Sequence, residues 1–288
     1  MLDVGLSTCG FDLTRENFDA LRKSGIKHIE LSVPYTVYPE LDHKKIGRDA
    51  ESADLNIWSY HLPFNNAKTF DIASLDEDMR LFTVKELSSY IKKGAEIGID
   101  KFIIHPCGEP KSSVGEERRE EMKRAKESLN TLAEIAFKEG AVLLVEDLPR
   151  SCLGNTVSEI TELVSANDKL RVCFDTNHLL TESYLDFIEI HKDKIASVHV
   201  SDFDGINERH WLPGEGIIEW DKLYSKLISI GYCGPWLYEI SLLPNVRTIA
   251  RRPLEFSDFY NNAMEIFEGK RPTPIGIPHE NLGMWGIK

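Results

Sequence analysis

No stretch of the 288-residue chain approaches ~18 uninterrupted apolar residues, so no membrane-spanning helix is expected. The amino terminus, Met1-Leu-Asp-Val-Gly5, has neither a basic segment nor an apolar run of signal-peptide length, which predicts a cytoplasmic protein. Cysteine is scarce: Cys9, Cys107, Cys152, Cys173 and Cys233 are scattered, odd in number and form no C-x-x-C pair. Reduced, mostly structural thiols are therefore expected. No glycine-rich dinucleotide fingerprint or phosphate loop follows any apolar run, so no nucleotide cofactor is expected. Basic charge is short as well, 34 Lys and Arg against 47 Asp and Glu, for a formal net charge of −13. Proteins that grip phosphate backbones usually carry a basic stripe, so this balance counts against nucleic acid as a partner. A small phosphorylated substrate would need only one or two basic contacts and stays open.

What the chain does have is apolar content of 42%, enough for a large core, arranged in a strict alternation. Short apolar runs at 3–7, 28–32, 55–61, 101–105, 141–146, 170–175, 195–202 and 235–240 read as strands. Between and after them lie segments of helical period: one capped by Thr14 and stopped by Gly25, then 42–53, 76–97, 116–138, 157–165, 184–191, 220–230 and 246–267. Eight βα units in a chain of this length favour one domain over 1–288, a (β/α)8 TIM barrel over about 3–267 with a Pro- and Gly-containing tail at 268–288. No linker or internal repeat beyond the βα unit divides it.

In such barrels the chemistry lies at the carboxyl ends of the strands. The sequence Leu170-Arg-Val-Cys-Phe-Asp-Thr-Asn-His178 sets the pattern: an apolar strand that ends abruptly in Asp175 and His178. The same design recurs at His61, His105, Glu146, His199 and Glu239. Any one of these alone reads equally well as a satisfied core polar group. Counting Asp175 with those five, six carboxylates and imidazoles at one barrel mouth are hard to leave uncompensated, and a divalent cation resolves that cost. Mixed carboxylate and imidazole donors suit Mn, Co, Fe or Zn rather than Ca, and the lack of thiolates points to a catalytic rather than a closed structural site.

The segments Val145-Glu-Asp-Leu-Pro149, Cys173-Phe-Asp-Thr-Asn-His178, Val198-His-Val-Ser-Asp202 and Tyr238-Glu-Ile240 resemble the xylose isomerase-like barrel superfamily of sugar isomerases and epimerases. His210-Trp-Leu-Pro-Gly-Glu-Gly216 resembles that superfamily's His-x-x-Pro-Gly-x-Gly loop. The resemblance spans the whole barrel and implies one divalent ion (Mn, Co, Zn or Mg) held by Glu146, Asp175, His199 and Glu239. It implies substrate contacts from His178 and Arg209, with His210, His61 and His105 beside them, and a homo-oligomer would be in keeping with it. The expected activity is isomerisation or epimerisation of a small sugar or related hydroxy-ketone. Glu146 and Glu239 would then flank the substrate as acid and base, because moving a proton between adjacent carbons needs a group on each face.

Around that set, Trp211 is expected as a rim aromatic and part of a lid, and Trp58 and Phe64 as rim or core aromatics. Glu30 and Ser32 are possible hydroxyl contacts, and Glu215 is expected to face solvent or cap a helix. A rival comes from the same superfamily. Its abasic-site endonucleases use three zinc ions, and His61, His105, Glu146, Asp175, His178, His199, His210 and Glu239 stand at comparable places, with Glu208 where those enzymes have an aspartate. The net charge and the Asp-Leu-Pro-Arg that follows Glu146 count against this reading. A third reading, a sugar-binding barrel without chemistry, leaves both glutamates unexplained.

Overall fold

The computed structural model describes residues 1–287. Eight parallel strands run β1 (Val4–Ser7), β2 (His28–Leu31), β3 (Asn56–His61), β4 (Lys101–Ile104), β5 (Val142–Glu146), β6 (Arg171–Asp175), β7 (Ile195–His199) and β8 (Trp236–Tyr238). The sheet order is β7-β6-β5-β4-β3-β2-β1-β8, and a bridge between Val200 and Tyr238 joins its two ends. Helices α1 (Arg15–Lys23), α2 (His43–Ser52), α3 (Glu77–Ala95), α4 (Gly115–Lys138), α5 (Val157–Val164), α6 (Tyr184–Ile190), α7 (Trp220–Ser229) and α8 (Phe256–Phe267) form the outer ring. This is a single (β/α)8 TIM barrel.

The strand period of two explains both the core and the site. Outward-facing Leu6, Ile29, Tyr60, Phe102, Leu143, Val145, Val172, Phe174 and Val198 are buried in one continuous layer against the helices. Inward-facing Ile103, Leu144 and Cys173 form a separate cluster inside the barrel. Two residues further along the same inner face come His105, Glu146 and Asp175. Ser197 and Leu237 are followed in the same way by His199 and Glu239. The alternation that fills the middle of the barrel with apolar groups therefore lifts the carboxylates and imidazoles into the layer above.

Helix starts follow local chemistry: the side chains of Thr14, Asp42, Asp76, Thr156 and Ser183 each accept a backbone N–H in the first turn. The last helix corrects the sequence expectation. It begins at Phe256 rather than near 246, because Pro253 interrupts the run and Glu255 with Asp258 forms a capping box. The residues before it instead form a short strand β9 (Ile249–Ala250) paired with β10 (Ile277–Pro278) of the tail. The tail continues into a small hairpin, β11 (Leu282–Gly283) with β12 (Gly286–Ile287). It lies against the barrel's upper loops, since Arg209 donates to the carbonyls of Gly283 (2.5 Å) and Met284 (3.1 Å). No described helix is long and apolar enough to cross a membrane.

Candidate metal centre

At the carboxyl end of the barrel, β5, β6, β7 and the segment after β8 deliver Glu146, Asp175, His199 and Glu239, with one donor atom of each within 4.8 Å of the others. His199 sits among the three carboxylates. Its Nδ1 lies 2.9 Å from Glu146 Oε1, 3.3 Å from Glu239 Oε2 and 3.8 Å from Asp175 Oδ2. Glu146 also faces β3 and β4: its Oε2 is 3.0 Å from His61 Nε2 and 3.3 Å from His105 Nε2. Beside this, His178, Glu208 and His210 make a third group, with His178 Nε2 3.4 Å from Glu208 Oε2.

The ring orientations are set from behind. His61 Nδ1 donates to the carbonyl of Leu62 (2.9 Å), His178 Nδ1 to that of Asp147 (2.7 Å) and His210 Nδ1 to that of Glu239 (3.1 Å). Each ring is left with Nε2 turned toward a carboxylate cluster, the arrangement that fixes tautomer and aim in metal-binding histidines.

The electrostatics are those of a site short of positive charge. Burial raises the Glu146 carboxyl, but His199, His105 and His61 outweigh it and hold it well below the usual carboxylate range. Burial lowers the His105 imidazole, yet its contacts with Glu109 and Glu146 bring it up to about 10. Burial pushes Asp175 well above its ordinary value, with Glu239 and Glu146 adding to the rise. Asp147, next to Glu146 and wholly buried, is pushed up to about 7. Asp175 Oδ2 is buried without a hydrogen-bond partner although it faces His199 Nδ1. An orphaned carboxylate oxygen in a ring of oxygen and imidazole donors fits a divalent cation, and Glu146, Asp175, His199 and Glu239 are the residues that would hold it.

The structure places the other expected site residues unevenly. His61 and His105 reach Glu146, and Phe64 stacks on His105 with ring centroids 4.2 Å apart, leaving it at the rim. Arg209, expected to contact substrate, spends its guanidinium on Asp204 (2.8 Å) and on the two tail carbonyls. Trp211 is not a rim aromatic. It is buried with Ile249 and Leu282, and its indole N–H donates to Thr248. Trp58 lies toward the opposite end of the barrel, under Lys101 and bonded to Ser197. Glu215 is buried rather than solvent-facing, accepting from the backbone of Leu212 and Gly276 and pairing with Arg251. Glu30 lies beneath His199, and Ser32 holds Thr8 through its backbone.

Two residues at the mouth carry no signal in the sequence. Glu109 backs His105, its Oε1 3.0 Å from the ring's Nδ1, and Arg150 bridges Glu109 (3.1 Å) and Glu208 (2.5 Å). Both come from loops whose path depends on distant contacts. A cleft of about 880 Å³ opens at the other end of the barrel around Asp3, Lys27, His28 and Arg48. Its charges are partly paired, Lys27 with Asp3 and Arg22 with Asp54, each at 2.8 Å, and none of the donor clusters borders it.

The family profile of the xylose isomerase-like TIM barrel matches residues 18–258. The chain belongs to that family. Within it, the chain is 26% identical over 182 residues to a probable endonuclease 4 of Finegoldia magna, covering 57% of this chain and 63% of that protein. It is 28% identical over 142 residues to fructoselysine 3-epimerase of Escherichia coli O157:H7, covering 46% of this chain and 51% of that one. The chain thus spans between half and two thirds of the length of these curated relatives. Among solved structures, a D-tagatose 3-epimerase-like protein superposes with a TM-score of 0.76 at 22% identity, over 93% of this chain and 97% of the other. That likeness carries the barrel fold.

Proposed function

We propose that this family member is a divalent-metal-dependent isomerase or epimerase of a small, uncharged sugar or related hydroxy-ketone. The observation that carries the reading is the placement of two glutamates, from different strands, on one donor cluster: Glu146 and Glu239 both lie within 3.3 Å of His199 Nδ1. A divalent cation bound there would supply Lewis-acid polarisation of a substrate carbonyl and its neighbouring hydroxyl. The chain's own part is proton transfer. Glu239 is the more open carboxylate, 14% exposed at the side chain against 1% for Glu146, so it is the group a substrate meets first. It takes the proton from the carbon beside the carbonyl, and Glu146, supplied with a proton by the protonated His105 3.3 Å from its Oε2, returns one from the opposite face. Return to the same carbon gives an epimer; return to the neighbouring carbon gives the isomer. His178, whose Nε2 lies 3.4 Å from Glu208, and His210 beside it hold substrate hydroxyls, and Phe64 covers an apolar face of the ring.

An uncharged substrate follows from the cations at the mouth. Arg150 and Arg209 are both neutralised by carboxylates, and the buried Lys111 is paired with Asp71 and Glu121. A second reading, hydrolysis of a phosphodiester at a multinuclear centre, is favoured by one observation: Glu146 is shared between two donor clusters, and a third lies alongside. The paired arginines and the net charge of −13 weigh against it.

The test is a side-by-side assay of the Mn²⁺-, Co²⁺- and Zn²⁺-loaded protein on neutral ketoses, their phosphate esters and a duplex bearing an abasic site. Conversion of a neutral ketose, lost on EDTA treatment and restored by metal, is the expected outcome. Strand cleavage at the abasic site without sugar conversion overturns the proposal in favour of the second reading.

A further inference from the structure

His199 is held from two sides. While Nδ1 faces the three carboxylates of the metal centre, Nε2 lies 3.0 Å from Glu30 Oε2, a residue of β2 reaching across the barrel interior. Glu30 is wholly buried, with neither a lysine nor an arginine as partner. Its Oε2 accepts a second hydrogen bond from Ser59 Oγ at 2.7 Å, and its Oε1 accepts none. An isolated buried carboxylate is costly, and only the hydroxyl of Ser59 and a ring N–H of His199 compensate this one. The imidazole must therefore keep its proton on Nε2, which leaves the Nδ1 lone pair for a cation.

The other rings make the contrast plain. His61, His178 and His210 are each oriented by a backbone carbonyl behind Nδ1 and His105 by the Glu109 carboxylate behind its Nδ1, whereas His199 alone among them is turned the other way round, with the Glu30 carboxylate behind Nε2 and Nδ1 toward the donor cluster. A carboxylate behind a ligating imidazole raises its basicity as well as fixing its tautomer.

We infer that Glu30, held by Ser59, is the positioning residue of the metal centre: it locks His199 in the Nε2–H form, aims Nδ1 at Glu146, Asp175 and Glu239, and thereby sets the affinity of the site. This rests on the reading of those four residues as a metal centre and is independent of which reaction the loaded protein performs.

The test measures metal affinity directly, by competition of Co²⁺ or Zn²⁺ against a chromophoric chelator, in the wild type, Glu30→Gln, Glu30→Leu and Ser59→Ala. Glu30→Leu is expected to weaken binding about 10- to 100-fold. Glu30→Gln, which can still accept the Nε2–H bond but has no charge, should fall between it and the wild type. Ser59→Ala should weaken binding less than either. In the Zn²⁺-loaded wild type, ¹⁵N NMR of labelled histidine should show His199 protonated at Nε2 and ligated through Nδ1, and Glu30→Leu should lose that single-tautomer signature. Circular dichroism and urea unfolding of the metal-free variants identify any that fail to fold, and Glu30→Gln, closest in shape, keeps the comparison available. Wild-type affinity retained in both Glu30 variants overturns the positioning role and leaves the metal centre standing. A wild type that binds no divalent cation overturns both.

Discussion

Without metal, Glu146 is the counter-ion of the imidazoles around it, and its removal should have a pH signature. In Glu146→Gln the side-chain shape is kept and the charge is lost beside His61, His105 and His199. His105 gives the magnitude. Its imidazole stands at about 10 against an ordinary 6.5, held up by Glu109 and Glu146 against the opposing effect of burial. At about 1.4 kcal/mol per tenfold preference for the proton, that rise is worth roughly 5 kcal/mol at most. Sharing it between the two carboxylates assigns about 2 kcal/mol to Glu146 through this one ring. A group raised in the folded state stabilises fully below its unfolded value, and the contribution fades as pH climbs through its folded value. The deficit of the variant should therefore be largest near pH 6.5 and close toward pH 10. For a chain of this size, about 2 kcal/mol lowers Tm by roughly 4–8 °C. The assay is thermal or urea unfolding of both proteins in EDTA at the two pH values. A deficit that is absent at pH 6.5, or unchanged at pH 10, would refute the view of Glu146 as a charge that holds the His105 imidazole protonated.

Asp202 accepts backbone N–H groups from Gly214, Gly216 and Ile218 and the indole N–H of Trp220, so it anchors the whole Pro-Gly loop. Asp202→Ala should cost roughly 3 kcal/mol, read as a drop in urea midpoint, because several buried donors lose their acceptor at once. Gly216→Ala should be comparably damaging, since a Cβ there would run into the Phe203 carbonyl and the Asp202 carboxylate. Arg209→Ala should free the tail from the mouth, seen as faster proteolysis after residue 270 with little change in Tm. Asp147, raised to about 7 by burial, favours the fold at low pH and loses that contribution as pH rises through 7. Asp147→Asn should therefore make the metal-free protein relatively more stable at pH 8 than at pH 5 when each is compared with the wild type.

The barrel and the inner ring of donors were legible in the sequence for one reason: strand periodicity is local. Leu144 followed by Glu146, Cys173 by Asp175 and Ser197 by His199 put polar groups on the same inward face two residues on, whatever the loops do. The strand and helix limits agree to within a residue or two, except at the seventh strand, which ends at His199 rather than Asp202, and at the last helix, where Pro253 and the Glu255–Asp258 box outweigh a helical pattern that looked continuous from 246. Position within a loop was not legible. Trp211 follows His210, which lies beside the metal centre, yet its own ring turns into a pocket made by Ile249 and Leu282, residues far along the chain. Arg209 is likewise claimed by a tail that sequence reading left without structure. Glu30 was visible as a polar group ending the second strand and a possible hydroxyl contact, but that it backs His199 depends on a contact spanning 169 positions. Glu109 and Arg150 have no periodic context at all, and only the folded loops bring them to His105 and Glu208.

The central claim is that two glutamates move a proton beside a carbonyl. Its most direct test is ¹H NMR of neutral ketoses incubated with the Mn²⁺- or Co²⁺-loaded protein in D₂O, the metal being removed before spectra are taken. The account predicts loss of the proton signal at a carbon adjacent to the carbonyl, at a rate cut by at least about 10²-fold in Glu239→Gln. A broad panel of ketoses that keeps every such proton, or exchange undiminished in Glu239→Gln, would contradict it.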